Sequence, residues 1–295
     1  MRHITKILAG VAAFLIMSGG LLAIAGWAMG AETDQRFNVH GYEFYVGHQG
    51  AIISGAESSP LPGNGMSDGA RNMEAFTGIN IDVALTDVEF QHADDYGVYL
   101  EWHYDRAAIE YECSDGRLTV WMPREGNFNV NGSYREGKVI VYLPEDAKLR
   151  DVTIYNSMSD ITMAGYSMDS LNVSNSMGAV ELSGLRADTM DLENSMGDVT
   201  AKSCNVSDSI YVSNSMADIK LTGDLRGDIT LENSMGAIEL RTDVEKRSFG
   251  YDLNTSMATV RVDGEDYDED ASKGGGDYYI TASNSMGDID IFFGR

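Results

Sequence analysis

Two cysteines in 295 residues leave nothing from which to build a disulfide framework or a multi-cysteine zinc module. Proline is scarce as well, with four residues against 32 glycines, which excludes collagen-like and proline-rich chains and leaves turns to glycine. Basic residues are few: 21 Lys and Arg face 46 Asp and Glu, a formal charge of −25. A surface that acidic repels phosphate backbones and excludes nucleic acid as a partner. Catalytic signatures are missing too. No Gly-x-Ser-x-Gly, His-Glu-x-x-His, Walker-type or Gly-x-Gly-x-x-Gly motif stands in a fitting context. No stretch after residue 30 carries a 3.6-residue apolar stripe, so a helical body is excluded. What is present is apolar material for a core, 43% of the chain.

Ile7 to Met29 holds no charged side chain. A helix of that length reaches about 35 Å, slightly more than the ~30 Å hydrocarbon core. Arg2 and Lys6 precede it and Glu32 and Asp34 follow, which predicts a cytoplasmic tail and an extracytoplasmic remainder. The rival reading is a cleaved signal peptide ending near the small residues Ala28 and Gly30. The run is longer than a ~7–15-residue h-region, which favours an uncleaved signal anchor. The expected organisation is a tail and transmembrane anchor over residues 1–30, then a flexible linker over 31–75 around Ser59-Pro60-Leu61-Pro62-Gly63. The remainder, 76–295, is the body of the protein, carrying most of the acidic charge. The expected location is the cell membrane, single-pass, with the C-terminal domain outside.

From Phe76 the pattern has period two. Ile79, Ile81, Val83 and Leu85 alternate with polar residues, as do Val98-Leu100-Trp102, Leu118-Val120-Met122 and Val139-Val141-Leu143. After residue 150 a block Asn-Ser-Met-small-x-β-branched recurs at Met158, Met177, Met196, Met216, Met235, Met257 and Met286, with spacings of 19, 19, 20, 19, 22 and 29. Ser precedes every one of these methionines, and Asn stands two before in all but Thr255. Position +3 is always Ile or Val, and −6, −4 and +5 are always apolar. A 19–20-residue unit with two short strands buries its apolar face only by stacking on neighbours. The predicted fold is therefore all-β, a single-stranded β-solenoid or β-helix, with less regular strands over 76–150 and seven repeats over 151–295.

Each column has a structural expectation. Asn156, Asn175, Asn194, Asn214, Asn233 and Asn284 point inward and form a hydrogen-bonded ladder at a corner. The methionines are expected in the core, as flexible filler at that corner, because an exposed stripe requires a change of parity. Asp160, Asp198, Asp218 and Asp288 at +2 belong to an outer edge, since stacked carboxylates repel unless solvated. The 29-residue gap before Met286 contains Asp263, Glu265, Asp266, Asp268, Glu269 and Asp270. These carboxylates are a weak calcium candidate without EF-hand spacing, or else a solvated acidic loop. No other cofactor is expected. His92 and His103 fall about 13 Å apart on a hairpin turning at Asp94 to Gly97, too far to share a metal. Whether Cys113 and Cys204 pair is left open.

The segments Phe76 to Phe90 and Lys138 to Pro144, with Gly197-Asp198-Val199 and Gly287-Asp288-Ile289, resemble the bacterial putative-adhesin family, a β-helical domain of unknown function. The resemblance covers about residues 76–295. An N-terminal single-pass anchor ahead of the domain is a usual layout in that family. The chain departs from its pattern in placing Met before the glycine, and three copies lack the Asp. The family has no agreed binding residues to carry over.

The expected function is non-catalytic, a surface module for adhesion or envelope interaction whose partner is an unidentified surface ligand or an envelope protein or glycan. Two alternatives stand beside it. One is a carbohydrate-active β-helix enzyme, a polysaccharide lyase or hydrolase, which fold analogy alone supports. The other is an accessory protein in envelope sensing, which with so short a tail would need a membrane partner.

Overall fold

The computed structural model describes residues 35–39, 42–47, 50–54, 66–102, 109–122, 128–129 and 137–294. The expected anchor over residues 7–29 and His103 lie outside the described residues. Among the described residues no helix is long and apolar enough to cross a membrane.

Alternating β-branched and polar residues make strands, and the fixed repeat length puts those strands in register. The first ladder is parallel. It aligns Asn156, Asn175, Asn194, Asn214 and Asn233 as direct neighbours, with the apolar columns at −6 and −4 aligned beside them. Past the corner a second parallel ladder aligns Ile161, Val180, Val199, Ile219 and Ile238. A short third side runs through Met168, Ala187, Val206 and Leu225. The chain thus winds as a solenoid-like stack of coils. Ile154, Val173, Leu192, Val212 and Leu231 of the −4 column, like the +3 column, are at most 1% exposed. Each such side chain contributes about 1.5–3 kcal/mol, and only because a neighbouring coil covers it.

Chain order and stacking order part company at both ends. Asp228–Met235 pairs not with the next repeat but with Tyr278–Met286, the last one, and Phe249–Thr255 lies beyond it. On the second ladder Ile289–Gly294 likewise separates Ile238–Glu245 from Val260–Val262. The outer edge is then closed by antiparallel strands. Asp270–Lys273 pairs with Phe249–Thr255, and Glu265–Tyr267 with Val260–Val262. The irregular spacings of 22 and 29 residues therefore mark a spliced coil and its cap, not an interrupted stack.

The other end is built the same way. Gly78–Val83 and Thr86–His92 form the coil next to Lys148–Asn156 and Ile161–Ala164. Arg117–Trp121 and Gly137–Leu143 stack outside it in parallel. Antiparallel Glu110–Ser114 and Gly97–Trp102 close that edge, with Met66–Ala70 beyond. At both ends a two-residue Asp-Gly turn makes a capping hairpin: Asp115-Gly116 at φ 51 and 71, Asp263-Gly264 at φ 54 and 82. Both central residues at positive φ are what a tight hairpin turn requires. An uncapped parallel edge would template pairing with another chain, and charged cap strands oppose that.

A separate compact unit holds a small antiparallel sheet of Gln35–Val39, Tyr42–Gly47 and Gly50–Ser54, joined by Phe128–Asn129. Residues 35–39, 42–47 and 50–54 fall in the stretch expected to be flexible linker. Their strand formers, among them Phe44, Tyr45, Ile52 and Ile53, account for the order found there.

Candidate functional site

The repeated motif sits where the first ladder turns into the second, and the corner is a main-chain problem before it is a site. Four backbone groups per coil need partners there. The N–H at +1 donates across to the next coil's Met carbonyl, as Gly178 does to Met196 and Ala217 to Met235, both at 2.9 Å. The +2 carbonyl accepts from the preceding coil's +3 N–H, as Asp198 does from Val180 at 2.9 Å. The ladder supplies no partner for the other two groups, and side chains take its place.

The Asn column serves the +1 carbonyl. Asn194 Nδ2 donates to Gly178 O at 3.0 Å and to Gly197 O at 2.9 Å, and Asn214 Nδ2 to Gly197 O at 3.1 Å and Ala217 O at 3.3 Å. Asn156, Asn175, Asn233 and Asn284 make the same kind of bond, and all six are only 2–6% exposed. The expected ladder is therefore one of side-chain amides and turn carbonyls, alternating, rather than amide upon amide. Thr255, the one departure from Asn, donates its hydroxyl to Gly287 O at 3.1 Å. In the coils of Asn194, Asn214 and Asn233, Oδ1 accepts the N–H of the following serine.

The Asp column serves the +2 N–H. Asp160 Oδ1 accepts from Ala179 N at 2.7 Å, Asp198 from Asp218 at 3.1 Å, Asp218 from Ala237 at 2.8 Å and Asp288 from Thr259 at 3.1 Å. Asp87 does the same for Asp160, one coil earlier. These carboxylates do lie along an outer edge, and each bridges two coils. The small residue at +1 has its own cause. Gly197 holds φ 121, and a Cβ there would stand 2.1 Å from Gly178 O. Ala217 tolerates φ 124 at the cost of strain.

The methionines are a correction. Met177, Met196, Met216, Met235 and Met286 are half-buried at the corner rather than in the core, and Met257 is 69% exposed. Parity breaks because the chain bends immediately after the buried Asn. The interior is already filled by the apolar columns.

The acidic segment does not gather round one point. Asp263 and Gly264 form the hairpin turn; Asp263 pairs with Lys246 Nζ at 3.0 Å and accepts Phe293 N–H. Asp266 pairs with Arg261 Nε at 3.1 Å, and Asp268, Glu269 and Asp270 follow in the second capping turn and strand. Arg261 also meets Asp288 and Asp290 at 2.9 and 3.1 Å, which raises its pKa. Among the described residues no three His, Cys, Asp or Glu side chains stand close enough to hold a metal ion.

One further feature escaped sequence reasoning. A groove of about 530 Å³ runs along the third side, lined by Arg186, Cys204, Asn205, Asp224, Arg241 and Asp243. Its signal was the charge placed just after Gly184 and Gly223, where the coil turns again. Cys113 and Cys204 are both free thiols, and burial raises the pKa of each. On the outward face of the first ladder, burial raises Asp191 above the ordinary carboxylate range. Burial and the neighbouring Glu232 push Tyr211 up to about 12.

A family model described as Toastrack DUF4097 matches residues 76–292. A search of curated proteins finds no match. Among solved structures the chain is similar to a putative cell adhesion protein from Clostridium sporogenes, with 8% identity, a TM-score of 0.36 and coverage of 79% of this chain and 100% of that one. It is similar also to a putative adhesin from Bacteroides fragilis, with 12% identity, a TM-score of 0.38 and coverage of 77% and 97%. A putative adhesin from Parabacteroides distasonis has 11% identity, a TM-score of 0.36 and coverage of 81% and 100%.

Because neighbouring amides share carbonyls, removing them is not additive. Asn194→Leu and Asn214→Leu each leave Gly197 O with one donor, and together they leave it with none. The double variant is expected to lose about 1–3 kcal/mol more than the sum of the singles in denaturant unfolding. Asn156→Leu with Asn233→Leu, which share no carbonyl, should add.

Asp191 gives a pH test. Its folded pKa is raised, so the folded state holds the proton over a window where the unfolded chain has lost it, and stability falls as pH rises through that window. Asp191→Asn should therefore be more stable than the parent at neutral pH. Its advantage should vanish below about pH 4, where both states are protonated.

Proposed function

The chain belongs to the Toastrack DUF4097 family, and from that premise we propose that it is a non-catalytic binding module of the cell envelope. In this reading Ile7 to Met29 anchor it in the membrane, and the body acts outside as an adhesion or envelope-interaction surface. The observation that carries the reading is the outward face of the first ladder. Stacking in register turns single residues into columns, and one column reads Tyr155, Ser174, Glu193, Ser213, Glu232, Ser283 in spatial order. Beside it runs Thr153, Asn172, Asp191, Tyr211, Thr230, Thr281.

Such a grid of hydroxyls and carboxylates recurs every ~4.8 Å and suits a ligand that itself repeats, above all a glycan polymer rich in hydroxyl groups. Each contact is weak, and affinity comes from many made at once. A glycan-cleaving enzyme instead concentrates an acid and a base at one cleft. The motif's Asp and Asn columns are committed to the main chain, which supports the binding reading over the catalytic one.

The test is to titrate the full chain against envelope polysaccharides and intact envelopes. Binding is expected, lost in Glu193→Lys/Glu232→Lys with an unchanged unfolding midpoint. Turnover of any glycan would overturn the non-catalytic reading, and failure to bind any envelope component would overturn the binding one. Deleting residues 7–29 should release the protein from the membrane fraction.

A further inference from the structure

At the corner only two columns, Ser at −1 and Met, have side chains without a main-chain duty, and of the two only Met carries a soft donor atom. Asn serves the +1 carbonyl, the small residue permits the positive φ, Asp serves the +2 N–H, and Ile or Val enters the core. Met has no such duty. Its backbone carbonyl accepts a bond that any residue could accept, and its side chain is only half-buried, whereas the apolar columns are fully buried. Yet the thioether stands in all seven copies.

Met177, Met196, Met216, Met235 and Met286 form one unbroken ladder, each the direct register partner of the next. The splice at the end of the stack preserves it, because the last repeat seats Met286 directly on Met235. All five are half-buried. Their backbones recur every ~4.8 Å, and a side chain with three rotatable bonds lets consecutive sulfurs swing together. Two residues further on lies the outer edge with Asp198 and Asp218, both exposed. Their charge lowers the potential of a cation beside the sulfurs without competing as a soft ligand.

We infer that this methionine ladder is a binding site for a soft monovalent metal ion, Cu(I) in nature, held by two or three consecutive thioethers. Thioether sulfur is neutral and soft, has no proton to lose, and selects Cu(I) over the oxygen-seeking Ca²⁺ and Mg²⁺. The ion arrives and leaves as Cu(I), so no electron is transferred and no oxidant is needed. The site lies at the corner, apart from the outward face proposed above for glycans, and the two stand or fall separately.

The probe is Ag(I), with Cu(I) under a colorimetric chelator as the second arm, on the full chain carrying Cys113→Ser and Cys204→Ala to remove thiolate ligands. With ¹³C-methyl methionine, the ladder resonances should shift together on adding Ag(I), while those of buried Met163 and Met190 stay in place. Ca²⁺ should move none of them. Replacing all seven motif methionines, Met158, Met177, Met196, Met216, Met235, Met257 and Met286, by Leu should abolish competition with the chelator at an unchanged unfolding midpoint. Unmoved ladder resonances would overturn the inference, as would equal competition by the Leu variant. Should that variant fail to fold, the resonance pattern of the Met-containing chain decides alone.

Discussion

A chain that turns a corner every ~20 residues and stacks on itself must find partners for backbone groups that the ladder leaves over, and must find them again on every coil. That constraint governs the repeat. An unpaired carbonyl in such a corner costs about 1–3 kcal/mol, and a stack multiplies the cost by the number of coils. Here the +1 carbonyl is met by the buried amide of Asn and, wherever the adjoining coil carries Asp at +2, the +2 N–H by its carboxylate. Both side chains reach across to a neighbouring coil and so tie coils together, and the Asn amide closes its own turn as well. Hydrophobic burial then follows, since register set at the corner places Ile and Val of successive coils in one column.

From that register comes the surface. Whatever residue occupies an outward position is repeated at the strand spacing, so the face becomes a set of columns rather than a scatter of side chains. The polar columns of the first ladder and the methionines of the corner are two such surfaces, one hydroxyl-rich and acidic, the other soft and neutral. Neither needs a loop to hold it in place. The functional proposals therefore rest on geometry that the fold imposes.

Much of this was legible in the sequence, because period and parity are local. The seven-fold spacing, the apolar columns and the inward Asn were all readable from residue types alone. The Asn partner was not, since a carbonyl leaves no trace in a sequence. Met was read as core because strict alternation puts it on the same side as Asn; the bend between them lies in the backbone, not in the composition. The splice of the last coil between two earlier ones was hidden too, because pairing between Asp228–Met235 and Tyr278–Met286 spans a chain segment whose length says nothing of where it goes. The hairpin caps had a local signal in Asp115-Gly116 and Asp263-Gly264. At the second of these, the acidic run drew the reading toward a loop and a cation instead.

The central claim is that the corners are as firmly held as the strands. Amide hydrogen exchange on the intact protein measures this directly. The N–H groups of Gly178, Ala217 and Gly236, bonded across coils to Met carbonyls, and those of Ala179 and Ala237, bonded to aspartates, should exchange only with global unfolding. They should be as slow as the core amides of Val199 and Ile219. Exchange at these corner positions at rates typical of surface loops, with the strands still protected, would contradict the account.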